Sequence, residues 1–280
     1  MYQQKAPQLW VSHSKIGDFL KCPRSYFLKY EYRDPHNGNK IALASPHLSL
    51  GIAVHEVLES LTKLKSEERF NSSLIDKYEI EWSKYTGELG GFTSETEENE
   101  FKERGMAMIK RVMDHPGPLL NKALKITSPD EFPPRYLFSA EHNIFLSGKI
   151  DWIEYLPEND SMHIIDFKTG KHDEDEESLQ LSIYCLLVKN LKKRNIDKVS
   201  YWYIERENEP REMPLPNLEE AYTKVLDMAL KIKEMKLKRT YICERNGCFA
   251  CMPLEAVLQG KCKFIGIKGY QNVYVSPPHD

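Results

Sequence analysis

LSGKIDWIEYLPENDSMHIIDFKTGKHDEDEESLQLSIY, residues 146–184, decides how this chain is read. Side chains alternate faces along a β-strand. In HIIDFKTGK, Asp166 and Lys168 therefore point the same way with Ile164 beside them, while His163, Ile165 and Phe167 face the other side. Upstream, LSGKID ends on Asp151, and the intervening YLPENDSM carries Pro157, Asn159, Asp160 and Ser161, which favour a hairpin connection. A turn centred on Glu158 and Asn159 sets Asp151 opposite Asp166. A shift of one residue moves its partner toward Lys168, and either register gathers the three charged groups.

Two carboxylates facing each other across a sheet repel, so a fold that keeps them together needs positive charge between them. Oxygen donors from Asp and Glu suit Mg2+ or Mn2+. A neighbouring lysine can orient or deprotonate a water and stabilise charge developing on a phosphate. The order D, fourteen residues, D-x-K is thus that of a phosphodiester-hydrolysis site. The same spacing also fits solvated residues on the polar face of an amphipathic hairpin, so the flanking blocks carry the discrimination.

Four blocks do so: SHSKIGDFLKCPRSYFLKY (12–30), GIAVHEVLE (51–59), GKID with DFK, and QLSIY (180–184). In this order the chain resembles the PD-(D/E)XK nuclease superfamily, specifically its RecB-like branch, which includes CRISPR-adaptation nucleases and AddB-type helicase–nuclease subunits. The resemblance implies an α/β (α+β) restriction-endonuclease-like core, a mixed central β-sheet flanked by helices. It implies that His55, Asp151 and Asp166 are metal ligands and Lys168 the catalytic lysine, and that Gln180 and Tyr184 approach DNA and the active site. Asp166 stands where many relatives have Glu, which shortens the ligand arm within the family's own pattern. In relatives with an iron–sulfur cluster, one cysteine comes from the CPR block and three from the C-terminal tail. Cys22, Cys248, Cys251 and Cys262 match those places, and Cys243 is the substitute, because the gap from Cys251 to Cys262 is long.

Composition bounds the remainder. A chain of 280 residues with 41% hydrophobic content suits one domain with a real core. The net charge of −3, from 39 basic and 42 acidic residues, excludes a global basic field, so any DNA path is a local patch. MYQQKAPQLW has no charged leader followed by an apolar run, and no stretch is apolar enough to span a bilayer, so a soluble, cytoplasmic protein is expected. In that setting the six cysteines read as metal ligands rather than disulfides. Tetrahedral zinc on the four tail cysteines is the rival to a cluster, and Cys185 reads as a core residue.

Taken in order, Ser12 or Ser14 caps a first helix, Pro23 punctuates it, and RSYFLKYEY continues helically with Tyr26, Phe27 and Tyr30 as packing aromatics. Residues 33–50 read as a loop, followed by an amphipathic helix with His55 in its first turns; Glu56 and Glu59 are second-choice ligands. A helical insertion over 60–132 covers the site. YLFSAEHNIFLSGKIDWIEY reads as paired strands that join the hairpin in a three-stranded run. DEDEE at 173–177 is a helix N-terminal cluster or a solvated turn, and it can also repel DNA and shape its approach. ESLQLSIYCLLVKNLKKR then puts Gln180 and Tyr184 on one helix face. Its KNLKKR end suits the helix dipole and alternatively offers phosphate contacts. A strand KVSYWYIER and a helix over 217–238 precede the cysteine-rich tail, 240–280, expected to pack on the N-terminal helices.

The expected whole is a single domain, 1–280, and a metal-dependent DNA nuclease. The family branch implies exonuclease action on single-stranded ends in repair, recombination or CRISPR adaptation, with a helicase or CRISPR-adaptation partner. No G-x-x-x-x-G-K-[ST] loop occurs, so any motor is a separate chain. The alternatives are a non-catalytic DNA-binding or assembly subunit and a zinc-stapled interaction protein.

Overall fold

The computed structural model describes residues 7–125, 133–192 and 194–277. The last part of the insertion, 126–132, residue 193 of the basic run, and the outermost residues at both termini lie outside the described residues. The chain opens with β1 (Leu9–Val11), then α1 (His13–Lys21), capped by the Ser12 side chain, which accepts from the Lys15 N–H. Pro23 opens α2 (Pro23–Tyr26), where its missing N–H costs nothing, and a π-turn over Phe27–Glu31 continues it. The segment expected as a loop holds β2 (Lys40–Leu43), and α3 (Pro46–Ser60) begins within it at Pro46. His55 therefore lies in the middle of α3 and not in its first turns. The insertion supplies α4 (Leu74–Trp82) and α5 (Glu95–Asp114).

Next come β3 (Arg135–Ser139), β4 (Ile144–Ser147), β5 (Trp152–Leu156) and β6 (Ser161–Lys168). They are not one continuous run. β4 pairs with β1 and β3 in its own sheet, of order β1-β4-β3, and Gly148–Asp151 carries the chain across to the next sheet. Gly148 leaves room at that crossing for α6: a Cβ there would stand 2.8 Å from Leu187 Cδ1.

The main sheet has the order β5-β6-β7-β8, with β7 (Asn195–Tyr203) parallel to β6 and β8 (Arg211–Met213) antiparallel to β7. A parallel pair needs a crossover, and α6 (Gln180–Leu191) provides it. Both faces of the sheet are covered, which is why the β6 run SMHIIDFK is buried almost throughout. Met162, Ile164, Val199 and Tyr201 pack with Ile183 and Leu187 of α6 and with Val225 and Ile232 of α7 (Leu218–Lys238). Trp152, Ile165, Phe167 and Trp202 pack against Val54 of α3, Tyr78 of α4 and Ile109 of α5. His163 shares that second face as a satisfied core group, with Nδ1 2.8 Å from Glu154 Oε2 and Nε2 2.7 Å from Ser200 Oγ.

After α7 come α8 (Met252–Leu258), β9 (Lys263–Lys268) and β10 (Gln271–Val275). β10 pairs antiparallel with β9 and parallel with β2, while Leu254 and Val257 of α8 pack on Leu28 and Ile41. The tail is thereby sewn to the first fifty residues. The α/β class expected from the sequence is present, with the strands of the described residues shared among three mixed sheets. Among the described residues no helix is long and apolar enough to cross a membrane.

Candidate active site

The β5–β6 register runs Trp152↔Ile165 and Ile153↔Ile164, the alignment whose next step sets Asp151 opposite Asp166. Asp151 lies just before β5, and its Oδ2 accepts from the Phe167 N–H at 2.8 Å, which pins the loop 148–151 to β6. Its Oδ1 lies 3.2 Å from His55 Nδ1. The carboxylates are 8% and 2% exposed, so each is deprived of water beside a like charge. Burial first, and then Asp151, push the Asp166 carboxyl up to about 7.

Asp166 is held from the α6 side. Gln180 Nε2 donates to Asp166 Oδ1 at 2.7 Å and to the Tyr184 hydroxyl at 3.1 Å, while Gln180 Oε1 accepts from Lys168 Nζ. Lys168 Nζ also lies 3.1 Å from Asp166 Oδ2 and 2.7 Å from Glu174 Oε2. Burial alone would lower the lysine's pKa, but Asp166 and Glu174 outweigh it and the net shift is upward. Lys168 is thus a fixed ammonium, and its ability to deprotonate water is suppressed. Tyr184, at the bottom of the site, is pushed well above the ordinary phenol range by burial and then by Asp166, so it stays neutral.

On the α3 side the most compact donor set is His55, Glu59 and Asp151, whose nearest ligand atoms lie within 4.8 Å of one another. Glu59, ranked second from the sequence, is one helical turn after His55 and on the same face. Its Oε1 lies 3.8 Å from His55 Nδ1 and its Oε2 2.6 Å from Lys149 Nζ. Burial lowers the His55 pKa, yet Asp151 and Glu59 raise it further, to about 10. These carboxylates hold a proton on the imidazole in the place where a divalent cation would be held against its neutral form. A cleft of about 360 Å3 opens beside Asp151, lined by Glu56, Glu59, Lys63, Glu81 and Lys149.

Of the two readings of the acidic run, the structure has the turn and not the helix start, with Glu174 the residue that is partly buried. α6 begins at Gln180 with no acidic residue in its first turn. Residues 173–177 lie in the preceding loop, where Glu174 reaches Lys168 and its N–H donates to the Tyr203 hydroxyl at 2.9 Å. Glu174 is a site residue that composition alone hides. Burial lowers the pKa of His13 in α1, partly offset by the charge of Glu174.

Cys22, Cys243, Cys248 and Cys251 converge, with their sulfurs within 4.8 Å of one another. Cys262 is not with them. α8 leads the chain away after Cys251, and Cys262 immediately precedes β9, packing with the Leu28 and Ile41 cluster. The fourth thiol is therefore Cys243, the substitute and not the first choice. The Cys248 and Cys251 sulfurs are 3.7 Å apart, close to the edge of a tetrahedron about zinc at roughly 2.3 Å. Backbone N–H groups of Cys251 and Ala250 help lower the Cys248 thiol to about 7, toward the ligating thiolate. Cys185 is buried in the core, where burial pushes its thiol up to about 12.

A family model for the PD-(D/E)XK nuclease superfamily matches residues 10–266. The chain belongs to the PD-(D/E)XK nuclease superfamily. Superfamily members are as a rule phosphodiester hydrolases that use divalent metals, and a nuclease fold implies contact with DNA. The match extends from β1 into β9, so it takes in the hairpin, α3, α6 and the converging thiols alike.

Proposed function

We propose that this PD-(D/E)XK protein is a metal-dependent deoxyribonuclease, acting as an exonuclease on single-stranded DNA ends. The observation that carries this reading is the row of His55, Asp151, Asp166 and Lys168: an imidazole 3.2 Å from one carboxylate and an ammonium 3.1 Å from the other, across one hairpin. The donor set, oxygen-rich with one imidazole, fits Mg2+ or Mn2+. His55, Asp151 and Asp166 would hold the cation, with Glu59 completing or tightening the set. A divalent ion bound there supplies charge neutralisation at the scissile phosphate and acidifies water.

The chain's own residues do the rest. Lys168 presents a permanent positive charge toward the non-bridging phosphate oxygens, where negative charge builds in the transition state. Gln180 fixes both Asp166 and Lys168 through one amide, so a single side chain sets their relative position. Tyr184 closes the apolar side and keeps water from the back of Asp166. The four thiols serve a structural metal group, an iron–sulfur cluster or zinc, tying Cys22 to the tail. The setting is repair, recombination or CRISPR adaptation beside a motor or adaptation partner.

The test is cleavage of end-labelled single- and double-stranded DNA by anaerobically purified protein in Mn2+, Mg2+ or EDTA, beside Asp166→Ala. Metal-dependent degradation of single strands from an end, abolished in the variant, is expected. Binding with no cleavage in any metal would overturn the nuclease reading in favour of an assembly subunit. Iron and zinc content of the same preparation separates the two thiol assignments.

A further inference from the structure

The end of the main sheet that carries Asp166 continues past Lys168. Lys168 of β6 is paired in register with Tyr203 of β7, and Tyr201, two residues earlier, with Arg211 of β8. Arg206 follows β7 in the turn. Read across this sheet edge, the order is two carboxylates, then Lys168, then two arginines. Both guanidinium groups lie against the Tyr203 ring, at 4.5 Å for Arg206 and 4.8 Å for Arg211. That ring is buried, so it holds the two cations in place from one side.

A carboxylate already bridges these arginines. Asp173 Oδ1 accepts from Arg206, and Asp173 Oδ2 accepts from Arg211 Nη1 at 2.7 Å; Arg211 also pairs with Glu207. The next residue, Glu174, sits on Lys168. Two consecutive side chains of one loop thus cover three cations in a line that leads out of the candidate active site. The Asp173 pairs are solvent-exposed, and exposed pairs are weak and screened by salt. A phosphodiester offers arginine the same two-oxygen geometry as a carboxylate, and a strand carries a phosphate at every step.

We propose that Arg206 and Arg211 form a phosphate-binding site for the DNA strand next to its scissile position, and that Asp173 occupies it as a carboxylate stand-in which the strand displaces. This rests on the nuclease reading for its ligand, but not on turnover. The loop 169–179 joins the end of β6 to the start of α6 without regular structure, so it can give way without breaking either element. With Asp173 and Glu174 displaced, this edge exchanges two carboxylates for two phosphates.

Anisotropy of a fluorescein-labelled oligo-dT in EDTA, over a salt series, tests this on the full chain. Asp173→Asn should tighten binding roughly threefold or more. The double variant Arg206→Ala/Arg211→Ala should weaken it about tenfold and make the slope of log affinity against log salt shallower by about 0.7 for each phosphate that is no longer neutralised. All these side chains are substantially exposed, so folding is preserved, and circular dichroism verifies it. The proposal stands only if both shifts occur. Asp173→Asn binding no tighter than the natural chain, an arginine variant binding equally well, or no binding at low salt each overturns it. Absence of cleavage in Mg2+ or Mn2+ would instead strike the nuclease reading, while both shifts in EDTA would persist.

Discussion

The hairpin site and the thiol cluster are both gathered from side chains that sequence can nominate, yet they differ in how far the chain travels between them. Asp151, Asp166 and Lys168 lie on one strand pair joined by a short turn, so strand periodicity and a turn centre determine which side chains meet. The thiols join Cys22 to residues more than two hundred positions later, and their meeting depends on where α7 ends and where α8 points. Local geometry is arithmetic; long-range closure depends on every element in between. The two sites should accordingly fail differently, one in chemistry and the other in folding.

Asp166→Asn should show the largest effect. Cleavage in Mg2+ or Mn2+ should fall by about 10³-fold or more. In EDTA its melting temperature should be unchanged or a few degrees higher, because a second buried carboxylate beside Asp151 is removed while an amide oxygen can still accept from Gln180. Rate measurements and calorimetry in EDTA check both halves. A variant that melted much lower would mean that the site stabilises the fold rather than being supported by it.

The thiols should behave in the opposite way. Cys22→Ser and Cys251→Ser should lose the structural metal and several kcal/mol of stability, with Tm lower by about 10 °C, whereas Cys262→Ser should keep its metal and melt within a degree or two of the parent. Metal analysis and thermal melts read this directly. Metal loss on replacing Cys262 would restore it to the ligand set and remove Cys243.

Gly148→Ala probes the junction between these behaviours. A Cβ would meet Leu187 Cδ1 at 2.8 Å and the Tyr184 ring at 3.6 Å, so the buried Leu187 side chain must repack or else α6 or the Asp151 loop must shift. The expected cost is about 1–3 kcal/mol of stability. Because Asp151 is only three residues on, cleavage should drop by up to about 10²-fold. Unaltered cleavage with lowered stability would mean that α6 yields and the loop does not.

The difference in reach also explains what could be read in advance. The turn residues Pro157 to Ser161 set the β5–β6 register, the i, i+4 spacing of Gln180 and Tyr184 puts them on one helix face, and the family resemblance turns that face toward Asp166, where Gln180 bonds it. Three things were beyond such reasoning. LSGKID reads as one strand, but Ser147 belongs to a different sheet from Trp152, and the crossing at Gly148 runs close under Leu187 of α6. DEDEE reads as a helix start or a solvated turn, and the turn is what forms, yet its partners, Lys168, Arg206 and Arg211, come from β6, the β7–β8 turn and β8, and no local rule weighs them. The long gap before Cys262 argues against it only weakly until α8 is seen to turn the chain away.

Glu59 offers the finest probe of the hairpin site, because helix spacing identified it and only tertiary structure promoted it. Its two oxygens are divided, one 3.8 Å from His55 and one 2.6 Å from Lys149. Glu59→Gln keeps the length and leaves an amide oxygen for Lys149, while removing one negative charge from the set that faces His55 and Asp151. If Glu59 helps hold the cation, the Mn2+ concentration giving half-maximal cleavage should rise about tenfold, with the rate at saturation within about twofold of the parent. That split is informative because a residue needed for the chemical step would lower the saturating rate instead. An unchanged Mn2+ requirement would reduce Glu59 to the anchor of Lys149, and the ligand set would revert to the imidazole and two aspartates that the family resemblance implies.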